Sequence, residues 1–518
     1  MSMGRARSVV LIGMEGHLIE VEADIGQSLP AFVLLGLPDA ALRESQERIR
    51  SAAKNAGLQL PRRRLTVNLS PASLPKSGSG LDLAILMSAW AADGHLSGTA
   101  DVIFLAELGL DGRLRPVRGV LPAVAAAAEA GACQVVVSTA NAQEAALVPG
   151  IEVLAADHVS DVAAAFGAPA GQLKGQSAEG LRRVWVPSTA AHQGHAHRSE
   201  PECGDLAEVR GQAEARFGLE VAAAGGHHMM LIGAPGAGKT MLAERLPGIL
   251  PPLDDAEAME VTAIASLSSG AAEVTQLRRT PPYEAPHHSA SAAAIIGGGR
   301  RIPAPGAITR AHRGVLFLDE APEFQRHVLD ALRQPLETGT ICLQRAAGQV
   351  TYPAAFQLVL AANPCPCGMN VGRGRACTCS AAERRSYLSR LSGPLLDRID
   401  VQMQVERPRS AAVSLSEQEE SSAQVLERVI QARGQQRERL QPQGLTLNSQ
   451  VPLPMMTSFM RLPTQTTAAL DRALDRATIS LRGYLRVLRL AWTLCDLAGR
   501  QRPDSDDVDA AMQLRLSR

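Results

Sequence analysis

The segment Gly233-Ala234-Pro235-Gly236-Ala237-Gly238-Lys239-Thr240 constrains this chain more than any other. It fits the pattern G-x-x-x-x-G-K-[ST], whose glycines let backbone N–H groups turn inward around a polyphosphate. The lysine of the pattern reaches the β and γ phosphates, and the threonine hydroxyl is placed for Mg²⁺. An apolar run, Met229 to Ile232, precedes it, and a helix-forming run, Met241 to Leu246, follows. Strand, tight loop and helix N-terminus in that order predict a nucleotide site in an α/β sheet. Of the 52 basic residues only Lys54, Lys76, Lys174 and Lys239 are lysines. A chain that otherwise uses arginine thus places a compact ammonium where a phosphate pocket suits it.

With 518 residues the chain has room for roughly three domains. Aromatic residues make up 3% of it, so few platforms exist for stacking on single-stranded bases. The net charge is zero, which removes any global basic signature of nucleic-acid binding. A nucleic-acid site would have to be a local arginine patch, which a ring multiplies by symmetry. The N-terminus lacks a sustained apolar run, and no segment approaches about 18 apolar residues. Eight cysteines without a secretory signal fit a reducing cytoplasm, with no membrane partner.

Residues 1–168 alternate patterns. Ser8 to Ile12, Leu65 to Leu69, Val102 to Leu105 and Gln134 to Val137 read as strands. Ala40 to Ala56, Leu81 to Ala92 and Leu121 to Ala130 read as helices, giving an α/β or α+β unit. Residues 169–204 are polar, carry His192, His195 and His197 without an apolar period, and read as a flexible linker. Residues 205–408 return to strand–helix alternation and contain a cysteine-rich insert at 365–379. Residues 409–518 read as a helical lid, with Gln418 to Arg439, Thr466 to Arg476 and Leu481 to Ala498 as helices.

About 75 residues past the phosphate loop, Val315-Leu316-Phe317-Leu318 reads as a strand buried on both faces. It ends in Asp319-Glu320. Asp319 is expected in the Mg²⁺ shell, and Glu320 is expected to orient or deprotonate the attacking water. A third strand, Phe356 to Ala361, leads to Asn363, whose amide is suited to the γ-phosphate or the water. In Leu395-Leu396-Asp397-Arg398-Ile399-Asp400, Arg398 is the candidate arginine finger for a neighbouring subunit's nucleotide. Its competing role is a structural ion pair with Asp397 or Asp400. Arg482 is expected to report on the γ-phosphate from the lid, with Arg486 one turn further as the alternate.

Cys365, Cys367, Cys377 and Cys379 form the spacing C-x-C-x9-C-x-C. Four thiolates complete a tetrahedral Zn²⁺ shell. The tight C-x-C step is less specific than C-x2-C, so four free thiols in a surface loop remain the alternative. Arg373 and Arg375 lie between the paired cysteines, where a stapled basic loop would meet DNA.

Together these parts resemble an AAA+ ATPase of the branch that includes magnesium-chelatase motor subunits and MCM helicases. Further stretches sharpen the likeness: Tyr283-Glu284-Ala285-Pro286-His287-His288, Gly297-Gly298-Gly299, Ala311-His312-Arg313-Gly314 and Asn363-Pro364-Cys365-Pro366-Cys367-Gly368. They are similar to the magnesium-chelatase-like family called YifB or ComM over nearly the whole chain. The resemblance implies a hexameric ring with ATP and Mg²⁺ bound between subunits. It further implies a helicase that drives branch migration during recombination of transforming DNA, with single-stranded, forked or branched DNA as substrate and recombination proteins as partners. The Gly297 to Arg301 loop and a hairpin near Arg345 are candidate pore elements. The alternatives are a chelatase motor for metal insertion and a protein-remodelling ATPase without DNA.

Residues 1–168 resemble the proteolytic domain of Lon proteases, through Pro75 to Gly80, Gly109 to Gly119 and Thr139-Ala140-Asn141. On that pattern the nucleophile position falls on Gly80, with Ser79 one residue early, and the lysine position falls on Leu121. A serine without its base is a weak nucleophile. The resemblance therefore implies a domain for assembly or DNA engagement rather than peptide cleavage. Arg62-Arg63-Arg64 is a candidate basic patch, or a solvated strand edge.

Overall fold

Two long strands of alternating burial, Gly4–Ile12 (β1) and Glu15–Gly26 (β2), begin the chain as an antiparallel hairpin. Gly13 makes the turn at φ +70°, a region that costs glycine nothing. The computed structural model describes residues 3–36, 40–76, 78–185, 204–268, 274–298, 304–345, 348–370, 376–407 and 419–516. Around the hairpin an eight-stranded mixed sheet is completed by Ala31–Leu35 (β3), Arg64–Ser70 (β4), Val102–Leu105 (β5), Gln134–Ser138 (β6), Glu152–Ala156 (β7) and Arg182–Val184 (β8). Its order is β8-β7-β6-β5-β1-β2-β4-β3.

The helices Ala40–Asn55 (α1), Asp82–Ala92 (α2) and Val120–Glu129 (α3) cover this sheet. Ten of the eleven residues of α2 are buried, so it reads as apolar all round rather than striped. The sheet continues past residue 168. Lys174 N donates to Ala56 O at 2.9 Å, and β8 pairs antiparallel with β7. Residues 169–184 are thus built onto the N-terminal sheet, while His192, His195 and His197 lie outside the described residues.

The second sheet is wholly parallel. Its strands are Met229–Ile232 (β9), Tyr283–Glu284 (β10), Val315–Leu318 (β11), Gln357–Ala362 (β12) and Val401–Gln404 (β13), in the order β10-β11-β12-β9-β13. Alternate side chains feed two cores, as a two-residue period requires. Met229, Leu231, Phe317 and Val359 enter one, and Met230, Leu316, Leu318 and Leu358 enter the other. This explains why the strands read as unbroken apolar runs. Helix Ala213–Gly225 (α4) covers the first face, and Lys239–Arg245 (α5) leaves the phosphate loop.

Asp255–Ser268 (α6) joins the two sheets. Gly119 N donates to Ser266 O at 3.3 Å, Ser266 Oγ donates to Glu144, and Ala263 shares a core with Val9 and Val124. A hairpin of Thr340–Arg345 and Gly348–Pro353 precedes β12.

The C-terminal region is helical: Ser422–Leu440 (α7), Thr464–Asp475 (α8), Leu481–Leu497 (α9) and Ser505–Leu516 (α10). Ser421 and Gln424 form a capping box that fixes the start of α7. Val487, Leu490, Ala491 and Leu494 of α9 line one face and join the core of α4 and β9, so the helical lid and the sheet share one apolar interior. Among the described residues no helix is long and apolar enough to cross a membrane.

Candidate active site

The phosphate loop leaves β9 at Gly233, where a Cβ would run into the Val405 carbonyl. Gly236 and Gly238 hold φ +74° and +91°, so only glycine takes these turns without strain. Lys239 then opens α5. Its Nζ donates to Gly233 O at 2.7 Å, Ala234 O at 3.1 Å and Asn363 Oδ1 at 3.1 Å. Burial lowers the Lys239 pKa, opposed by the carboxylates of Asp319 and Glu320. Thr240 Oγ1 donates to Asp319 Oδ2 at 2.8 Å. A hydroxyl beside a carboxylate is the hard-oxygen donor set that suits Mg²⁺ together with substrate phosphate.

Glu320 follows Asp319 with φ +50°, a left-handed backbone rare for this residue type. Its N–H donates to Asp319 Oδ1 at 2.9 Å, which holds the turn. The strain aims the Glu320 carboxylate off the strand end, and His288 Nδ1 lies 3.2 Å from its Oε2. Five residues from two neighbouring strand ends and one helix start are thus gathered in one place. Sequence reasoning missed three groups that hold them. His288 faces Glu320. Gln212 Nε2 donates to Ala237 O at 2.5 Å. Arg407 donates to Pro235 O from Nε at 3.2 Å. A repeated His-His after β10 was the visible signal for the first, whereas the other two meet the loop only through the fold.

The arginines lie elsewhere. Asp400 N and Val401 N donate to His228 O, at 3.0 and 3.1 Å, so this segment sits where β9 and β13 begin. The loop lies where β9 ends, about 13 Å of strand away. The acids named as alternative partners of Arg398 are taken by others: Asp397 by Arg482 at 3.0 Å, Asp400 by Arg486 and by His227 at 3.0 Å. Arg398 instead pairs with Glu337 and donates to Pro394 O at 2.6 Å. Arg398, Arg482 and Arg486 line one cleft of about 1320 Å³, together with Arg313, Arg437 and Arg489. Arg482 therefore stands beside Arg398 and not over the phosphate loop of its own chain.

The Sγ atoms of Cys365, Cys367, Cys377 and Cys379 all fall within 4.8 Å of one another. This four-thiol cluster follows Asn363 directly and has the donors to coordinate a metal. Arg373 and Arg375, and residues 299–301 of the proposed pore loop, lie outside the described residues.

In the N-terminal region Ser79 Oγ donates to Glu107, and Leu121 is buried with its N–H on Glu144 Oε1 at 3.0 Å. Lys76 is buried and its Nζ donates to Pro71 O. Arg63 pairs with Asp93 at 3.6 Å.

Three family models match in succession. Residues 21–141 match "Subunit ChlI of Mg-chelatase", residues 205–413 match "Magnesium chelatase, subunit ChlI", and residues 419–515 match its C-terminal model. A protein of Mycobacterium tuberculosis strain H37Rv is 46% identical over 99% of both chains. The YifB protein of Escherichia coli is 40% identical, covering 96% of this chain and 94% of its own. The competence protein ComM of Haemophilus influenzae is 38% identical, covering 97% and 95%. A phosphate loop, an acidic strand end and a polar third strand sit on one parallel sheet, and these matches run from end to end. The chain therefore belongs to the magnesium-chelatase-like YifB/ComM family of AAA+ ATPases.

Proposed function

We propose that this protein is an ATP-driven ring motor that acts on branched DNA, as a branch-migration helicase in recombination of incoming DNA. The observation that carries the ring is the separation of Arg398 and Arg482 from Lys239 by the length of the sheet. An arginine there reaches a γ-phosphate only when a second copy brings its own phosphate loop to the cleft. Stacked copies in which each supplies one half of every site close into a ring. The hexamer count is the family's.

Within each site ATP lies on the backbone of Gly233 to Gly238, and Lys239 holds its β and γ phosphates. Thr240 and Asp319 hold Mg²⁺, which supplies neutralisation of the phosphate charge. Glu320, aimed by His288, takes or orients the water, and Asn363 fixes the water or the γ-phosphate. Arg398 and Arg482 of the adjoining copy offset the negative charge of the transition state.

DNA as the substrate is supported by 38% identity to a competence protein across 97% of the chain. The chelatase reading draws on the family models, but the matches to chelatase subunits themselves are shorter, 28% identical over 30% of the chain in Heliobacterium mobile. The N-terminal region serves assembly or DNA engagement in this reading. Ser79 donates to Glu107, and Lys76 is turned to the Pro71 carbonyl, so the two do not form a serine–lysine dyad.

One experiment decides it: ATP turnover and strand exchange with no DNA, single-stranded, forked and four-way DNA. Stimulation greatest on the branched forms, falling steeply with salt, is expected. Turnover indifferent to every DNA would sink the DNA motor in favour of a chelatase or protein-remodelling role.

A further inference from the structure

We infer that the four cysteines form a structural metal site that clamps the phosphate loop, so that nucleotide binding depends on a metal that never touches the nucleotide. This rests on reading Gly233 to Thr240 as the ATP site.

The sulfur geometry comes first. Cys365 Sγ lies 3.4 Å from Cys367 Sγ and 3.7 Å from Cys377 Sγ, and Cys367 Sγ lies 3.7 Å from Cys377 Sγ. Sulfurs at the corners of a tetrahedron with Zn–S bonds of about 2.3 Å are about 3.8 Å apart. A disulfide needs about 2.05 Å. The four atoms are thus spaced to share one ion. Four soft donors with no carboxylate among them select a thiophilic cation of the Zn²⁺ type over Mg²⁺. Four protein ligands leave no open position, which makes the site structural rather than catalytic. Arg384 Nη1 stands 4.0 Å from Cys377 Sγ and 3.4 Å from Asn370 Oδ1, where a cation offsets the charge of the thiolates. Ser380 then caps the next helix, Ala381–Ser389, with a complete capping box, so the second cysteine pair ends on a fixed element.

The cluster is wired to the nucleotide site twice. Asn363 precedes the buried Cys365 by two residues, and its Oδ1 accepts from Lys239 Nζ at 3.1 Å. Gly368 closes the first cysteine turn, its N–H donating to Cys365 O at 3.0 Å. Gly368 has φ +74°, and a Cβ there would stand 2.5 Å from Pro235 Cδ. The turn is therefore seated on the phosphate loop itself. Pro235 is gripped from the other side, its carbonyl accepting from Arg407 Nη2 at 2.5 Å. With the metal bound, the turn that presents Gly368 and Asn363 has one geometry. Without it, the backbone of Pro364 to Gly368 regains conformational freedom, and both contacts loosen.

The test uses full-length protein purified without chelator. Elemental analysis should find about one Zn²⁺ per chain. Exchange with Co²⁺ should give thiolate-to-cobalt charge transfer and tetrahedral d–d bands. Both should vanish in Cys367→Ser/Cys379→Ser and persist in Cys342→Ala. Binding of a fluorescent ATP analogue should weaken about tenfold or more in metal-depleted protein and return with Zn²⁺. Gly368→Ala should keep its metal and still bind the analogue more weakly. Metal far below one per chain, or a cobalt spectrum without charge transfer, overturns the site. Unchanged affinity after metal removal, or in metal-loaded Gly368→Ala, overturns the clamp. Zinc-loaded wild type that binds no nucleotide overturns the ATP-site reading itself, with the metal content left standing.

Discussion

At one end of the parallel sheet, Lys239 is hydrogen-bonded to Asn363 and Thr240 to Asp319 within a single chain. At the other end, Arg398, Arg482 and Arg486 are each paired with an acid and line an open cleft. The first end has a lysine ammonium held by carbonyls and an amide, a shape that awaits phosphate. The second has guanidinium groups on carboxylates of very different exposure, from the buried Asp400 on Arg486 to the half-exposed Asp397 on Arg482. Arg482 is the loosest, 68% exposed and bound to a half-exposed Asp397. Exposed pairs of that kind contribute about 0–1 kcal/mol, so exchanging Asp397 for a phosphate costs little. In the proposed ring, the difference makes the two ends halves of a site that no single chain completes.

The largest effects should appear at the self-contained end. Lys239→Ala should abolish ATP binding, measured by a fluorescent analogue. Glu320→Gln should keep binding and lose about 10²–10⁴-fold in turnover, leaving ATP on the protein. Normal turnover in Glu320→Gln would break the assignment of the water-activating group.

Arg398→Ala should come next and should separate the two ends. Binding of ATP should stay near wild type while turnover falls about 10³-fold. Mixing Lys239→Ala with Arg398→Ala protein should restore part of the activity, because some junctions then join an intact loop to an intact arginine. Failure of the mixture, with both variants shown to assemble, would mean that each chain completes its own site. Arg482→Ala should have a smaller effect, about tenfold on turnover, and little effect on thermal stability because its ion pair is exposed. A large drop in melting temperature would show that Arg482 is a fold element instead.

The glycine pattern made the phosphate-loop end legible in the sequence, since the loop, its lysine and its strand are contiguous. Asp319 and Asn363 could be found because parallel strands end where ligands bind, so polar residues after apolar runs stand out. Arg398 stood out between two acids, but its actual partner did not: Glu337 lies 61 residues upstream, a pairing that only the tertiary fold makes. Gln212 and Arg407 were invisible for the same reason. They act on backbone carbonyls of the loop, and a carbonyl leaves no mark on the sequence of its donor. The β1–β2 hairpin was half seen. Its second strand alternates buried Ile19, Val21, Ala23 and Ile25 with Glu20, Glu22 and Asp24, a two-residue period that was legible in the sequence although only Ser8 to Ile12 was read as a strand. The four cysteines were legible as a metal-type spacing, whereas the seating of Gly368 on Pro235 was not.

The smallest expected effect links the arginine end to its foundation and shows only in acid. His228 is partly buried just before β9, where it lines the arginine cleft, and loss of hydration there pulls its pKa down to about 4, helped by Arg486 and Arg489 and opposed by Asp400. Its neutral ring accepts from Leu358 N at 3.1 Å, a bond that a proton on that nitrogen would remove. Asp400 beside it would be raised by burial, but the His227 hydrogen bond and the charge of Arg486 hold it well below the ordinary carboxylate range. Both groups bind protons more readily when unfolded, so both make stability fall with falling pH. Their windows differ. The His228 contribution is full above the unfolded value of about 6.5 and declines from there toward 4, whereas that of Asp400 declines only below about 4. Melting temperature should therefore drop between pH 7 and 4.5 through His228 while Asp400 still holds Arg486. His228→Gln, which keeps an acceptor for Leu358 and does not titrate, should flatten the slope in that interval. An unchanged slope would move the acid sensitivity elsewhere and leave the arginine end with no titrating support beneath it.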